Sequence, residues 1–250
     1  MTALEIALFA LLGLAVGSFL NLCIDRLPLG RSIISPPSHC DACQQRLKAQ
    51  HLVPLFSYLW LRGRCRYCGA HIPRRLPLVE LATALLFAFL SWQYGLSLQL
   101  GMALVYGSLF LLIFVIDLEH GLVLNNLVYP GMALAFVFSF FWPELGVVRA
   151  LLGGVIGFGL MLIPYLISRG GMGGGDVKLA GLIGLATGFP LIFLALFLGI
   201  LSGGIVAIAL LISGVKSRKE PIPFGPFLAA AAMVTLIWGP AMYQWYIGLL

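Results

Sequence analysis

The sequence Gly170-Gly171-Met172-Gly173-Gly174-Gly175-Asp176-Val177-Lys178 places an aspartate behind a run of glycines, between two strongly apolar spans. Glycine permits positive φ angles and close approach of another chain. An ionisable group at a membrane boundary is costly, and such groups commonly mark functional sites. The same stretch also fits a flexible turn in which Asp176 caps the apolar helix that follows. On its own, it leaves both interpretations open.

The composition indicates a polytopic membrane protein. Of 250 residues, 61% are hydrophobic and 10% are charged, whereas soluble domains carry about 25% charged residues. The net charge of +6 could suggest nucleic acid, but nine of the fifteen Lys and Arg residues lie in one hydrophilic segment between the first two apolar spans. That asymmetry concerns membrane topology, so we predict no nucleic-acid partner.

Apolar spans predict an all-α fold with about eight transmembrane helices, because about 20 residues cross a hydrocarbon core of ~30 Å. The predicted spans cover residues 3–24, 77–94, 98–117, 122–142, 147–168, 177–188, 190–213 and 225–247. A single helix broken at Pro190 would reduce the count to seven. We divide the chain into a first helix (1–24), a hydrophilic loop domain (25–76) and a helical membrane core (77–250).

The distribution of basic residues predicts the orientation of the chain. With eight spans and the hydrophilic loop in the cytoplasm, fourteen of the fifteen Lys and Arg residues lie inside, as the positive-inside rule requires. The nine loop cations are joined by five beside later spans: Arg169, Lys178, Lys216, Arg218 and Lys219. Both termini then lie on the outer, periplasmic side.

Two aspartates end up on the same side of the membrane in this topology. Asp117 ends the third predicted span and Asp176 begins the sixth, so two crossings separate them and they can meet at the cytoplasmic boundary. Two carboxylates in contact cannot both ionise readily, so one serves as acid and the other as base. Such a pair can activate water and protonate a leaving amine. The alternative for each aspartate is a solvated helix end.

Two Cys-x-x-Cys pairs, separated by 21 residues, lie in the hydrophilic loop. Four thiolates with this spacing predict a structural zinc site and a small zinc-ribbon-like insertion. A reducing cytoplasm favours metal over disulfides, and a redox pair or unpaired thiols are the alternatives. The predicted ligands of Zn²⁺ are Cys40, Cys43, Cys65 and Cys68.

An ordered set of motifs resembles that of the type IV prepilin peptidases, membrane-embedded aspartic proteases of type IV pilus and type II secretion systems. The motifs are Gly17-Ser18-Phe19-Leu20-Asn21 with Arg26-Leu27-Pro28, Pro77-Leu78-Val79-Glu80-Leu81, the GMGxGDxK-like stretch from Gly171 to Lys178, and Pro223-Phe224-Gly225-Pro226-Phe227. The resemblance covers nearly the whole chain and maps the family's catalytic aspartates onto Asp117 and Asp176. One departure is Leu124-Asn125-Asn126, where the family commonly has Leu-Pro-Asp or Pro-Asn.

The resemblance implies a bifunctional leader peptidase and N-methyltransferase in a bacterial inner (cytoplasmic) membrane. Its protein substrates would be prepilins or pseudopilins, whose basic leader stays in the cytoplasm while their apolar helix lies in the bilayer. S-adenosylmethionine would be the methyl donor, although no glycine-rich dinucleotide fingerprint supports this second activity independently. The sequence indicates no particular oligomeric state.

Further candidate site residues flank the predicted catalytic aspartates. Gly173 and Gly175 would leave room for a substrate backbone, and Lys178 would tune Asp176 or bind lipid headgroups. Glu80 would contact the substrate amine or the methyl donor.

Three other interpretations stay open for these acids. Glu80 could instead neutralise Arg74 or Arg75 at a helix start, where acids are favoured. A proton-coupled transporter could use the two aspartates as a relay. A non-enzymatic zinc-ribbon scaffold of a secretion machine would not need them.

Overall fold

A computed structural model describes residues 2–168, 172–215 and 222–248. Within these ranges the chain forms nine α-helices, and its only β-pairing is in isolated bridges. The helices are α1 (Ala3–Arg26), α2 (Phe56–Trp60), α3 (Arg75–Tyr94), α4 (Leu98–His120), α5 (Asn125–Phe138), α6 (Val147–Ile167), α7 (Gly174–Thr187), α8 (Leu191–Ile212) and α9 (Gly225–Ile247). The all-α fold is therefore confirmed. Outside the described residues lie Gly170 and Gly171 of the glycine run and the predicted cytoplasmic cations Arg169, Lys216, Arg218 and Lys219.

Six of the described helices, α1, α3, α4, α6, α8 and α9, are long and apolar enough to cross a membrane. The other two predicted spans correspond to α5 and α7, which have 14 residues each. A helix of that length extends only about 21 Å, so eight is an approximate count of full crossings. The helices α7 and α8 are separate, since Gly188 ends α7 with a φ of +73° and α8 begins after Pro190.

The chain divides into two compact units, Met1–Ser108 and Leu109–Leu250. In the first unit, α1 packs against α3 through two glycines. A Cβ atom on Gly13 would lie 2.7 Å from the Cα of Ala84, and one on Gly17 would lie 2.7 Å from the Cα of Glu80. Their four-residue spacing puts both glycines on one face of α1, the small-xxx-small arrangement typical of closely packed membrane helices.

Two polar residues of the N-terminal motif tie α1 to its neighbours. Buried Asn21 donates from Nδ2 to the backbone oxygen of Leu76, in the first turn of α3, at 2.9 Å. Buried Arg26 donates to the backbone oxygens of Ser32 at 2.9 Å and Pro36 at 2.6 Å. Buried polar side chains need such partners, so Asn21 has a structural explanation in the contact of α1 with α3, and Arg26 in the attachment of the loop.

The second unit is built around α7, which packs against α5, α6, α8 and α9. Ten of its fourteen residues are buried, as expected for a helix that is apolar on nearly all sides. Because protein rather than lipid surrounds most of this helix, its length does not have to match the bilayer. This packing places the residue at its N-terminal end, Asp176, against the other helices of the unit.

Glycines of α6 permit the close contact with α7. A Cβ atom on Gly157 would lie 2.5 Å from the backbone oxygen of Ala180, and one on Gly154 would lie 2.8 Å from Cγ of Leu185. A Cβ atom on Gly159, in contrast, would meet nothing within 4 Å. The glycines of α6 therefore differ in the space around them: Gly154 and Gly157 lie against α7, and Gly159 does not.

We expect Gly157→Ala to destabilise the protein and Gly159→Ala, in the same helix, to leave its stability unchanged or slightly higher. Forcing a methyl group into a packed interface costs about 1–3 kcal/mol, whereas alanine at an open helical position is favoured over glycine. The measurement is the thermal unfolding midpoint of each variant in the same detergent. Equal midpoints for the two variants would contradict the packing of α6 on α7.

Candidate active site and cysteine cluster

Asp117 lies near the C-terminal end of α4 and is only 4% exposed. The backbone of Gly225, the first residue of α9, is hydrogen-bonded to its carboxylate. Its Oδ2 atom is buried and has no hydrogen-bond partner among the described residues. An unsatisfied buried oxygen is uncommon in native structures. A water molecule or a substrate group would satisfy it.

Asp176 lies in the first turn of α7 and is 9% exposed. The carboxylates of Asp117 and Asp176 are close enough for an electrostatic interaction, in which each repels the other. The structure thus brings together the two acids that the topology predicts on one side of the membrane. Like charges at close range favour a state in which the pair holds one proton. This arrangement can supply an acid and a base at the same place.

Val123, in the connection between α4 and α5, fills the space beside both acids. A Cβ atom on Gly175 would lie 2.7 Å from the Cβ of Val123, and one on Gly225 would lie 3.2 Å from its Cγ2. The same Cβ atom on Gly225 would lie 2.6 Å from Oδ2 of Asp117. Gly175 directly precedes Asp176. The valine therefore touches the backbone next to each acid.

The glycines before Asp176 differ in their surroundings. Gly173 is exposed, and a Cβ atom there would lie 3.3 Å from Oδ2 of Asp176. At Gly175 the close neighbour is Val123 of the same chain. Val123 therefore fills the space beside Gly175 that we predicted for a substrate backbone, whereas the space beside Gly173 is open to solvent.

Lys178 forms contacts that its position in the sequence did not predict. Its Nζ donates to Oδ1 of Asn125 at 3.0 Å and lies 5.6 Å from the centre of the Tyr129 ring. Both partners belong to α5, so the lysine links α5 to α7. Asn125 is in the segment where the chain departs from the family's Leu-Pro-Asp pattern. Only the three-dimensional structure shows that Asn125 contacts Lys178, the last residue of the glycine-rich stretch.

Glu80 lies in the first unit and is buried in α3. Its Oε2 accepts a hydrogen bond from the backbone N–H of Leu55 at 2.7 Å. Arg75, one of the two cations expected beside it, forms an ion pair with Asp25 at 2.5 Å. Glu80 also lines a cavity of about 290 Å³ together with Tyr58 and residues of the cysteine loop. The carboxylate thus has a backbone partner that its sequence position did not predict.

The Sγ atoms of Cys40, Cys43, Cys65 and Cys68 all lie within 4.8 Å of one another. The Sγ atoms of Cys40 and Cys68 are 3.9 Å apart. A tetrahedral zinc site with Zn–S bonds of about 2.3 Å requires sulfur–sulfur distances of about 3.8 Å. The predicted four-cysteine cluster is therefore present, with a geometry that could hold a metal ion such as zinc.

Both halves of the cluster have the same backbone geometry. The N–H of Cys40 donates to the oxygen of Gln45, and the N–H of Cys65 donates to that of Ala70. In each half the residue after the second cysteine, Gln44 or Gly69, has a positive φ angle. Such repeated tight turns direct both cysteines of a pair, and backbone N–H groups, toward one point.

The backbone surroundings of Cys65 favour its thiolate. The N–H groups of Cys68 and Tyr67 stabilise the negative sulfur and lower the pKa of the Cys65 thiol to about 7. The N–H of Tyr67 lies 3.5 Å from this sulfur. Since the thiolate is the form that ligates metal, this lowered pKa favours Cys65 as a ligand. Although the N–H of Ala70 lowers the pKa of Cys68, burial and the neighbouring cysteine thiols outweigh it and raise that pKa to about 11.

Comparison with known proteins identifies the family. Residues 11–94 match the Bacterial Peptidase A24 N-terminal domain, and residues 104–208 match the Type IV leader peptidase family. A prepilin leader peptidase/N-methyltransferase of Bacillus subtilis (strain 168) is 34% identical over 245 residues, covering 97% of this chain and 98% of the relative. The chain belongs to the type IV leader peptidase family.

Further relatives of this leader peptidase family carry the same name. The one from Pseudomonas aeruginosa is 34% identical over 265 residues, which cover 95% of this chain and 91% of the relative. The one from Aeromonas hydrophila is 31% identical over 273 residues, with 98% and 94% coverage. No solved structure matches the chain. The chain belongs to a peptidase family and has six described helices able to span a membrane, so it is a multi-pass membrane enzyme. Neither alternative, the proton-coupled transporter or the non-enzymatic scaffold, is favoured by these findings.

Proposed function

We propose that this chain cleaves the leader from prepilins or pseudopilins, with Asp117 and Asp176 as its catalytic pair. The observation that carries the proposal is the meeting of these two buried acids. One carboxylate takes a proton from the attacking water, and its partner gives a proton to the leaving amine. Water adds to the scissile carbonyl and the C–N bond breaks. The products are the leader's carboxylate and a new N-terminal amine.

The unpartnered Oδ2 of Asp117 is the proposed position for the attacking water or the scissile carbonyl. Gly173, which is exposed beside the Asp176 carboxylate, leaves room for the substrate backbone. We propose that Gly175 positions the chain by admitting Val123, and that Lys178 fixes α7 to α5 through Asn125. In this scheme Gly173 leaves space for the substrate beside Asp176, and Gly175 lets Val123 pack against the backbone before Asp176.

The proposed location is the inner (cytoplasmic) membrane, with the acids and the cysteine loop on the cytoplasmic side and both termini outside. The excess of cations in residues 25–76 supports this orientation. It brings the catalytic pair to the boundary at which a prepilin's basic leader meets its apolar helix. We retain the division into residues 1–24, 25–76 and 77–250 as the domain proposal.

The direct test uses the purified full-length chain and a purified prepilin in detergent. We expect cleavage at one position between the basic leader and the apolar helix, identified by the masses of both products. A prepilin that lacks its apolar helix should be a much poorer substrate, since it cannot present the bond at the membrane boundary. If the intact prepilin stays uncleaved while the enzyme preparation is folded and monodisperse, the proposed function is wrong.

We further propose that S-adenosylmethionine is the methyl donor for the new N-terminal amine, as the relatives' name suggests. The donor's sulfonium and a protonated amine are both cations. The 290 Å³ cavity offers them the carboxylate of Glu80 and the aromatic ring of Tyr58. Equilibrium binding of the labelled donor should weaken in Glu80→Gln. Unchanged binding would remove Glu80 from this role.

Zinc is the metal that we propose for the cysteine cluster, with a structural role. Wild-type protein should contain about one zinc ion per chain, and the Cys40→Ser, Cys68→Ser double variant should contain almost none. The control is Cys23→Ala, which removes a buried thiol of α1 that lies outside the cluster. Metal analysis after exhaustive dialysis makes the comparison. Full zinc content in the double variant would rule out this ligand set.

A further inference from the structure

An exposed apolar surface stands out in the hydrophilic loop. It consists of Leu52, Val53, Phe56, Leu59 and Trp60, and is called the loop tip below. The side chains of Trp60, Leu59 and Phe56 are 85%, 63% and 59% exposed. Contiguous apolar surface of this kind marks contact with a membrane or another protein. The metal cluster and the catalytic pair do not use it.

The anchoring of the loop tip decides between those partners. Leu55, within this segment, donates its backbone N–H to Oε2 of Glu80. Glu80 lies five residues into α3, about 7.5 Å along a helix that is long enough to cross the bilayer. Leu78 and Leu81, which flank Glu80 in α3, are themselves exposed. The loop tip therefore starts at the level of a lipid-facing turn of a spanning helix.

The charges around the loop tip match an anionic membrane surface. Between Asp41 and Glu80 the sequence contains seven Lys and Arg residues and no acid. Arg62, Arg64 and Arg66 follow the tip directly and are exposed. Basic residues beside exposed Trp, Phe and Leu side chains are typical of segments that lie in the headgroup region, and tryptophan prefers that region.

We propose that the loop tip is an interfacial membrane anchor, in which Phe56, Leu59 and Trp60 insert into the bilayer beside α3 while the arginines contact anionic headgroups. Glu80 acts as the tether that sets the depth of this segment. The anchor holds the cysteine cluster at the membrane surface. This inference rests on the membrane location of α3 and stands apart from the proposed peptidase activity.

The test is collisional quenching of Trp60 in the full chain, reconstituted into lipid nanodiscs with one copy per disc. The emission of Trp60 is obtained as the difference between wild type and Trp60→Phe. We expect this emission to lose most of its intensity in discs with brominated acyl chains, and aqueous iodide to have little effect. The reference is Trp92, an exposed tryptophan in the last turns of the spanning helix α3. Its emission is obtained in the same way, as the difference between wild type and Trp92→Phe.

Two further measurements make the proposal falsifiable. Replacing Arg62, Arg64 and Arg66 with Gln should reduce the extra quenching seen when anionic lipid replaces zwitterionic lipid in the brominated discs. Strong quenching of Trp60 by iodide, without quenching by brominated lipid, would overturn the anchor. Protection of Trp60 from both quenchers only at two copies per disc would overturn it too, since a second copy of the chain would then cover the tip.

Discussion

Asp117→Asn and Asp176→Asn should each reduce prepilin cleavage by a factor on the order of 10²–10⁴ or more, the contribution typical of a positioned acid or base. Asparagine keeps the shape of the side chain and removes the ability to exchange a proton. Because the two acids act as one unit, the double variant should be little worse than either single variant. The measurement is the single-turnover rate constant for leader release in detergent.

The control for this experiment is Glu119→Gln, an exposed acid two residues after Asp117 in the same helix. It should cleave at nearly the wild-type rate. Near-normal cleavage by either aspartate variant would end the assignment of the pair. If both variants are inactive but also fail to show a wild-type unfolding midpoint, the loss is one of folding, and the assignment loses its support.

The sequence predicted the helical membrane fold and the pairing of the acids because both depend on long-range regularities of the chain. The thickness of the bilayer sets the length of an apolar span, so such spans can be recognised as helices from the sequence. The number of crossings between Asp117 and Asp176 then decides whether they share a side of the membrane. Neither step needs knowledge of side-chain packing. The cysteine cluster was predictable for a similar reason, since its ligand spacing is a local property.

Side-chain contacts were harder to predict from one sequence. The expected partners of Glu80 were a cationic reactant or a neighbouring arginine, and the structure instead gives it the backbone N–H of Leu55, 25 residues earlier. Burial in α3 requires a donor for this carboxylate, but sequence cannot say which donor folds back onto it. Asn125 and Val123 were overlooked because an asparagine and a valine in a short connection carry no chemical signal of their own.

The two glycines beside Val123 should tolerate an added methyl group much less well than a helical glycine with open space around it. In Gly225→Ala, the Cβ atom would meet Oδ2 of Asp117 at 2.6 Å, well inside van der Waals contact. A displacement of about 1 Å in a catalytic group can cost on the order of 10²-fold in rate. We therefore expect cleavage to fall at least that far through kcat, with KM nearly unchanged. Gly204→Ala, at an open position of α8, should behave as wild type.

A second substitution separates Gly175 from Gly225 as supports of the pair. In Gly175→Ala the nearest obstacle is the Cβ of Val123, at 2.7 Å. Adding Val123→Gly removes that atom, so the double variant should recover much of the lost rate. The same Val123→Gly change should not rescue Gly225→Ala, because the contact with Asp117 remains. Equal rescue at both positions, or at neither, would show that the loss in Gly175→Ala does not come from its contact with Val123. Selective rescue ties that loss to Val123, since a general loss of stability would not distinguish one glycine from the other.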